Sequence, residues 1–186
     1  MAIKLVEQLD ILFEQNVDVL TREIYLLEEI TDESAAKFIK ALNFLASKGN
    51  EEITIFIDSP GGLIYQMLAM YDAMQCIGAP IRTVGLGQIM SAAPLLLAAG
   101  AKGRRFVAVN SHLMVHQGST ELDGKTTDIA VEARHCEKLE RQWCELMEQH
   151  TGKKAKEWRK LIKTSDHYIE ATKAIEYGIA DFIYGK

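Results

Sequence analysis

The chain has 186 residues, with 21 basic against 26 acidic side chains and a formal net charge of -5. That length suits a single domain with a real core, and the mild acidity, with no basic run interleaved with aromatics, argues against nucleic acid as a partner. The longest apolar run, residues 89–101, falls short of the ~20 residues that span a bilayer and is interrupted by Ser91 and Pro94, and the N-terminal MAIKLVEQLD lacks a signal-peptide centre, so the reading is a soluble cytoplasmic protein without a membrane partner.

Residues 1–19 mix apolar and acidic side chains without a decisive period and read as an N-terminal arm. Residues 23–28 (EIYLLE) suit a buried strand. Thr31 then offers a cap, with first-turn carboxylates at Asp32 and Glu33. Ala35, Phe38, Ile39, Leu42 and Leu45 recur at helical spacing, and Gly49-Asn50 is a natural stop. Ile53, Ile55 and Ile57 predict a β-branched strand that ends in Asp58-Ser59-Pro60-Gly61-Gly62, followed by a helix over residues 63–77. With a third strand starting at Ile81, the order βαβαβ predicts an α/β fold in which crossover helices pack on a sheet. The Gly61-Gly62 pair has two readings: plain turn chemistry, or a backbone that must approach a substrate closely.

Residues 81–117 carry the chemistry. A strand-like run with Ile81, Val84 and Leu86 breaks at Gly85 and Gly87, and an Ala/Leu-rich helix opens close to Ser91, with Pro94 tolerated in its first turn. A hydroxyl at a strand-to-helix turn is exposed and lies near N–H groups that the helix start leaves unpaired. Phe106 to Val109 reads as a strand, and Leu113, Val115 and Gln117 alternate around Met114 and His116. Residues 118–125 are polar and turn-rich. Residues 126–150 form a long helical pattern with an apolar stripe through Ile129, Ala133, Cys136, Leu139, Trp143 and Met147. Gly152 ends it, a short basic helix follows, Asp166 lies in a loop, and residues 170–177 and 179–184 read as a helix and a last strand.

Acyl transfer needs a hydroxyl, an imidazole that takes its proton, and a buried carboxylate that orients the imidazole. Ser91, His116 and Asp166 can supply them. His167 is a rival base and Asp58 a rival acid, although a strand-end aspartate commonly just makes a turn. His112 and His116 are four apart, but Leu113 stands where a zinc HExxH motif carries glutamate, so no metal is expected. Cys76, Cys136 and Cys144 form no CxxC pair and read as reduced thiols.

The runs GQIMSAAPLLLAAGAKGRRF (87–106) and NSHLMVHQ (110–117), with IDSPGG (57–62) upstream and EYGIAD (176–181) downstream, resemble the Clp protease proteolytic subunit (ClpP) family of serine peptidases. The resemblance implies an α/β fold of repeated ββα units of the ClpP/crotonase type. One peptidase domain would span residues 1–186, with an arm over about 1–19 and a protruding strand-helix handle over about 117–150. It assigns Ser91 as nucleophile, His116 as base and Asp166 as acid, with the oxyanion held by the backbone N–H groups of Gly62 and Ala92. It implies an endopeptidase acting on peptides or unfolded polypeptides inside stacked heptameric rings, a homo-oligomeric tetradecamer, with no cofactor and with an AAA+ unfoldase as a further partner. The chain departs from the family in its short N-terminus, in Ala92-Ala93 where Met-Gly is usual, in Gly118 where proline is usual, and in Ser165 where arginine is usual. Two other readings compete: a catalytically silent ring subunit, and a crotonase-type acyl-CoA enzyme, in which Ser91, His116 and Asp166 would be idle.

Overall fold

Isoleucine at every second position of 53–57 lines one face of an extended strand, and Ile53, Ile55 and Ile57 are all fully buried. The structure, a computed structural model, describes residues 14–121 and 123–186; the expected arm lies largely outside the described residues, and of it the short strand β1 (Val17–Asp18) is seen. Strands β2 (Glu23–Leu26), β3 (Ile53–Ser59), β4 (Ile81–Met90), β5 (Arg105–Ala108) and β8 (Phe182–Tyr184) pair in parallel in the order β1-β2-β3-β4-β5-β8. β1 is antiparallel to β2, and β6 (His112–Val115) branches from β4 and pairs antiparallel with β7 (His167–Glu170). The fold is therefore α/β with a mixed sheet.

Helix α1 (Asp32–Lys48) starts where expected, because Thr31 and Ser34 cap each other reciprocally. It buries Phe38, Leu42 and Leu45, while α2 (Ile64–Cys76) buries Met67, Met70, Tyr71 and Met74. Helix α3 (Ala93–Ala98) is buried on all sides, as a helix apolar all round must be. By contrast, the long helix α4 (Thr126–Thr151) buries side chains near its end, at Trp143, Cys144 and Met147. There Trp143 meets the buried Trp158 of α5 (Ala155–Thr164) edge to face, with ring centres 6.1 Å apart. Burial pushes the Cys144 thiol up to about 11. The last helix, α6 (Ala171–Glu176), is shorter than expected, and the final strand is confined to three residues.

Two expectations need correction. β4 does not break at Gly85 and Gly87 but runs on to Met90, changing partners as it goes: Thr83 to Gly85 pair with β5, and Gln88 to Met90 with β6. Gly87, at φ 49°, makes the bend, and a Cβ there would lie 2.8 Å from Asp58 Oδ1, which accepts the Gln88 N–H. The loop expected before the last helix also contains a strand, β7, formed because β6 offers it a free edge.

Arg105, 2% exposed, ties three elements together. It pairs with Asp181 through Nε at 2.9 Å and Nη2 at 2.6 Å, and donates to the carbonyls of Ala98 and His150. Burial alone would raise the Asp181 carboxyl, but the Arg105 hydrogen bonds and charge outweigh it and hold it below its ordinary value. Stability from this lowered value is complete above the unfolded carboxylate value of about 3.9 and is lost as pH falls through the folded one. Asp181→Asn, which strands a buried guanidinium, should cost roughly 3–5 kcal/mol in urea unfolding at pH 7. The gap to the parent should narrow as pH falls below ~4 and close once Asp181 is protonated in the folded protein; a gap that does not narrow as pH falls would contradict this account.

Candidate active site

Strand register brings Ser91, His116 and Asp166 to one place. β4 and β6 run parallel with Met90 opposite Met114, and the Ser91 N–H donates to the Met114 carbonyl at 2.8 Å, so Ser91 leaves β4 beside the end of β6. β6 and β7 are antiparallel with Val115 opposite His167, which sets the next pair out, His116 and Asp166, face to face. Ser91 Oγ lies 2.8 Å from His116 Nε2, and His116 Nδ1 lies 3.5 Å from Asp166 Oδ1. The first is a hydrogen bond; the second exceeds ordinary hydrogen-bond length and is a looser polar contact. The carboxylate expected to be buried is instead 57% exposed in the single chain, because β7 is short and nothing from the described residues covers its start.

Ser91 adopts φ 57°, a left-handed conformation that a residue with a Cβ rarely takes and that clusters where function requires it. The turn is wedged by Gly61. A Cβ on Gly61 (φ 91°) would come within 2.7 Å of the Ser91 Cβ and 2.9 Å of the Ala92 nitrogen, and one on Gly62 (φ 144°) would collide with the Ile30 carbonyl. The glycine pair is thus required by the turn itself: positive φ and close approach to the chain's own serine turn and to Ile30 both exclude a side chain. Gly61 O accepts from Ile30 N, and Leu63 N donates to Ile30 O. Gly62 and Ala92, whose backbone N–H groups make no hydrogen bond among the described residues, both line the same cleft as Ser91 and His116.

The cleft holds about 1110 Å³ between α2 and α4. It exceeds the roughly 300–1,000 Å³ of a small-molecule pocket and suits an extended ligand. At its rim the Tyr65 hydroxyl meets His135 Nε2 at 2.7 Å, joining the first turn of α2 to α4. The rivals stay elsewhere: His167 stacks on Tyr177, Asp58 accepts the Gln88 N–H, and His112 is exposed on β6. Residues 118–121 and 123–125 form no strand.

Residues 12–186 match the family model described as Clp protease. The chain belongs to the Clp protease family. Membership makes it a ClpP-like peptidase, and the match spans all the elements described above. Among the described residues no helix is long and apolar enough to cross a membrane. No sequence pattern marks Glu140, a carboxylate one residue off the apolar stripe of α4 whose side chain is 9% exposed at the cleft.

The wedge at Gly61 leads to a stability test. Gly61→Ala should cost roughly 2–4 kcal/mol in urea unfolding, as strain and collision add. Gly103, also at positive φ (79°) but with nothing within 4 Å, provides the control. Gly103→Ala should cost only about 1–2 kcal/mol. Equal costs would show that close packing on the serine turn is immaterial.

Proposed function

We propose that this chain is a serine endopeptidase in which Ser91 is the nucleophile, His116 the general base and Asp166 the group that orients His116. The observation that carries the proposal is the 2.8 Å bond between Ser91 Oγ and His116 Nε2 at the floor of an open cleft, with a carboxylate on the other ring nitrogen. As Oγ attacks the scissile carbonyl carbon, its proton passes to His116 Nε2. The resulting oxyanion is held by the N–H groups of Gly62 and Ala92, and Asp166 stabilises the imidazolium. Collapse breaks the C–N bond while His116 gives the proton to the leaving amine, leaving an acyl-enzyme on Ser91. Water then attacks with His116 as base, and Ser91 is restored. No metal or organic cofactor has a step in this scheme. The 3.5 Å gap between His116 and Asp166 is of the kind that closes in a substrate complex.

The substrate we propose is an unfolded polypeptide or peptide laid along the cleft, within a chamber of stacked heptameric rings; a partner AAA+ unfoldase would supply it. On this reading residues 1–186 form one peptidase domain with α4 as its handle. Exposed apolar side chains away from the cleft, among them Leu20, Leu27, Val131 and Tyr168, support assembly. Three free cysteines, one of them exposed, suit a reducing cytoplasm.

A fluorophosphonate probe should label the parent protein and not Ser91→Ala; equal labelling of both overturns the proposal. Asp166→Asn should slow labelling by about 10²-fold, less than the ~10⁴ reported by a fully buried acid, because its carboxylate is half in solvent. Native mass spectrometry should give multiples of seven protomers, and a monomer would contradict the chamber. Rings that never label would instead mark a silent assembly subunit.

A further inference from the structure

A largely shielded carboxylate on α4, Glu140, connects the segments that deliver the proposed base and acid. The Glu140 side chain, 9% exposed, accepts hydrogen bonds from Gln117 Nε2 at 2.6 Å and Arg159 Nε at 3.3 Å, and Lys163 Nζ makes an ion-pair contact at 3.8 Å. Gln117 directly follows His116. Arg159 and Lys163 belong to α5, which ends at Thr164, two residues before Asp166. The same two segments are also joined through the backbone, where the Gln117 N–H donates to the Ile162 carbonyl at 3.0 Å.

We infer that Glu140 is a positioning residue that sets the approach of His116 to Asp166 by clamping Gln117 against α5. The physical need is plain in the geometry. Asp166 is more than half exposed and stands 3.5 Å from the imidazole, so packing around it does little to hold it. Its placement depends on α5 behind it and on the strand end across from it, and Glu140 is where those two meet. Surface pairs of half-exposed Arg159 and Lys163 would be worth little by themselves. Here their common acceptor, its side chain 9% exposed, also takes a side-chain amide, so three groups from two segments converge on one carboxylate.

The inference rests on the proposed roles of Ser91, His116 and Asp166, and the test separates the two. Fluorophosphonate labelling is followed on the assembled protein for the limiting rate constant, the probe concentration at half-maximal rate and the final labelled fraction. Glu140→Met, which keeps the length and removes the acceptor, should slow the limiting rate by about 10- to 100-fold, as a displacement of order 1 Å does. It should leave the half-maximal probe concentration within about twofold and label every chain in the end. Glu140→Gln keeps an acceptor oxygen and should recover most of the rate. In an Asp166→Asn background, Glu140→Met should add less than about threefold, because both act on one contact. Gln117→Met, at an exposed position that leaves the α4–α5 pairs intact, should reproduce the slow rate and carries the test if Glu140→Met does not fold. A wild-type rate in Gln117→Met or in a folded Glu140→Met overturns the inference. So does a reduced labelled fraction at wild-type rate, or full additivity with Asp166→Asn. Parent protein that labels no faster than Ser91→Ala overturns the functional reading, and the inference with it.

Discussion

Strand β4 changes partners halfway along, and the rest of the molecule is arranged around that exchange. Its first half is a central parallel strand, hydrogen-bonded to β3 and β5 and buried on both faces, while its last three residues leave β5 and pair with β6. A sheet cannot pair one strand end with two neighbours on the same side, so the bend at Gly87 diverts β4 onto the β6–β7 branch. The strand end that carries Ser91 is thereby lifted out of the core sheet and set against the two elements that carry His116 and Asp166. Because side chains alternate with a period of two, a one-residue slip in either β4–β6 or β6–β7 would turn the imidazole to the opposite face. The candidate site is thus a consequence of two registers.

Those registers are held from both sides. Beneath the site, α3 is wholly apolar and wholly buried, so the turn before it has little freedom to relax. Above it, Gly61 presses backbone against the Ser91 turn, a contact that any side chain would prevent. The positive φ of Ser91 is the strained result of being gripped between these layers. Arg105 plays the corresponding part farther out. It has no role at the cleft, yet it joins the end of α3, the end of α4 and the approach to β8 through one buried guanidinium.

The long helix α4 has two unlike halves. Its last turns are part of the core through Trp143, Cys144 and Met147, whereas Thr126 to Arg134 is nearly all exposed. Glu140 sits where the two halves meet. The carboxylate there is hydrogen-bonded to Gln117, the neighbour of His116.

Much of this was legible in the amino-acid order because it depends on local chemistry. Alternating isoleucines make β3, Thr31 caps α1, spacing gives α2 its buried face and α4 a stripe that is buried at Trp143 and Met147, and four short motifs in series carry the family. Ser91 at a strand-to-helix turn and His116 at a strand end follow from the same local patterns. Three things were decided only by tertiary structure. β4 continues through two glycines because partners on both sides outweigh glycine's weak strand preference. β7 exists because β6 leaves an edge for it, and residues 167–170 have no strong pattern of their own. The exposure of Asp166, expected to be buried, and the shielding of the Glu140 side chain were not legible, since a carboxylate's surroundings come from distant segments that only the folded chain brings near.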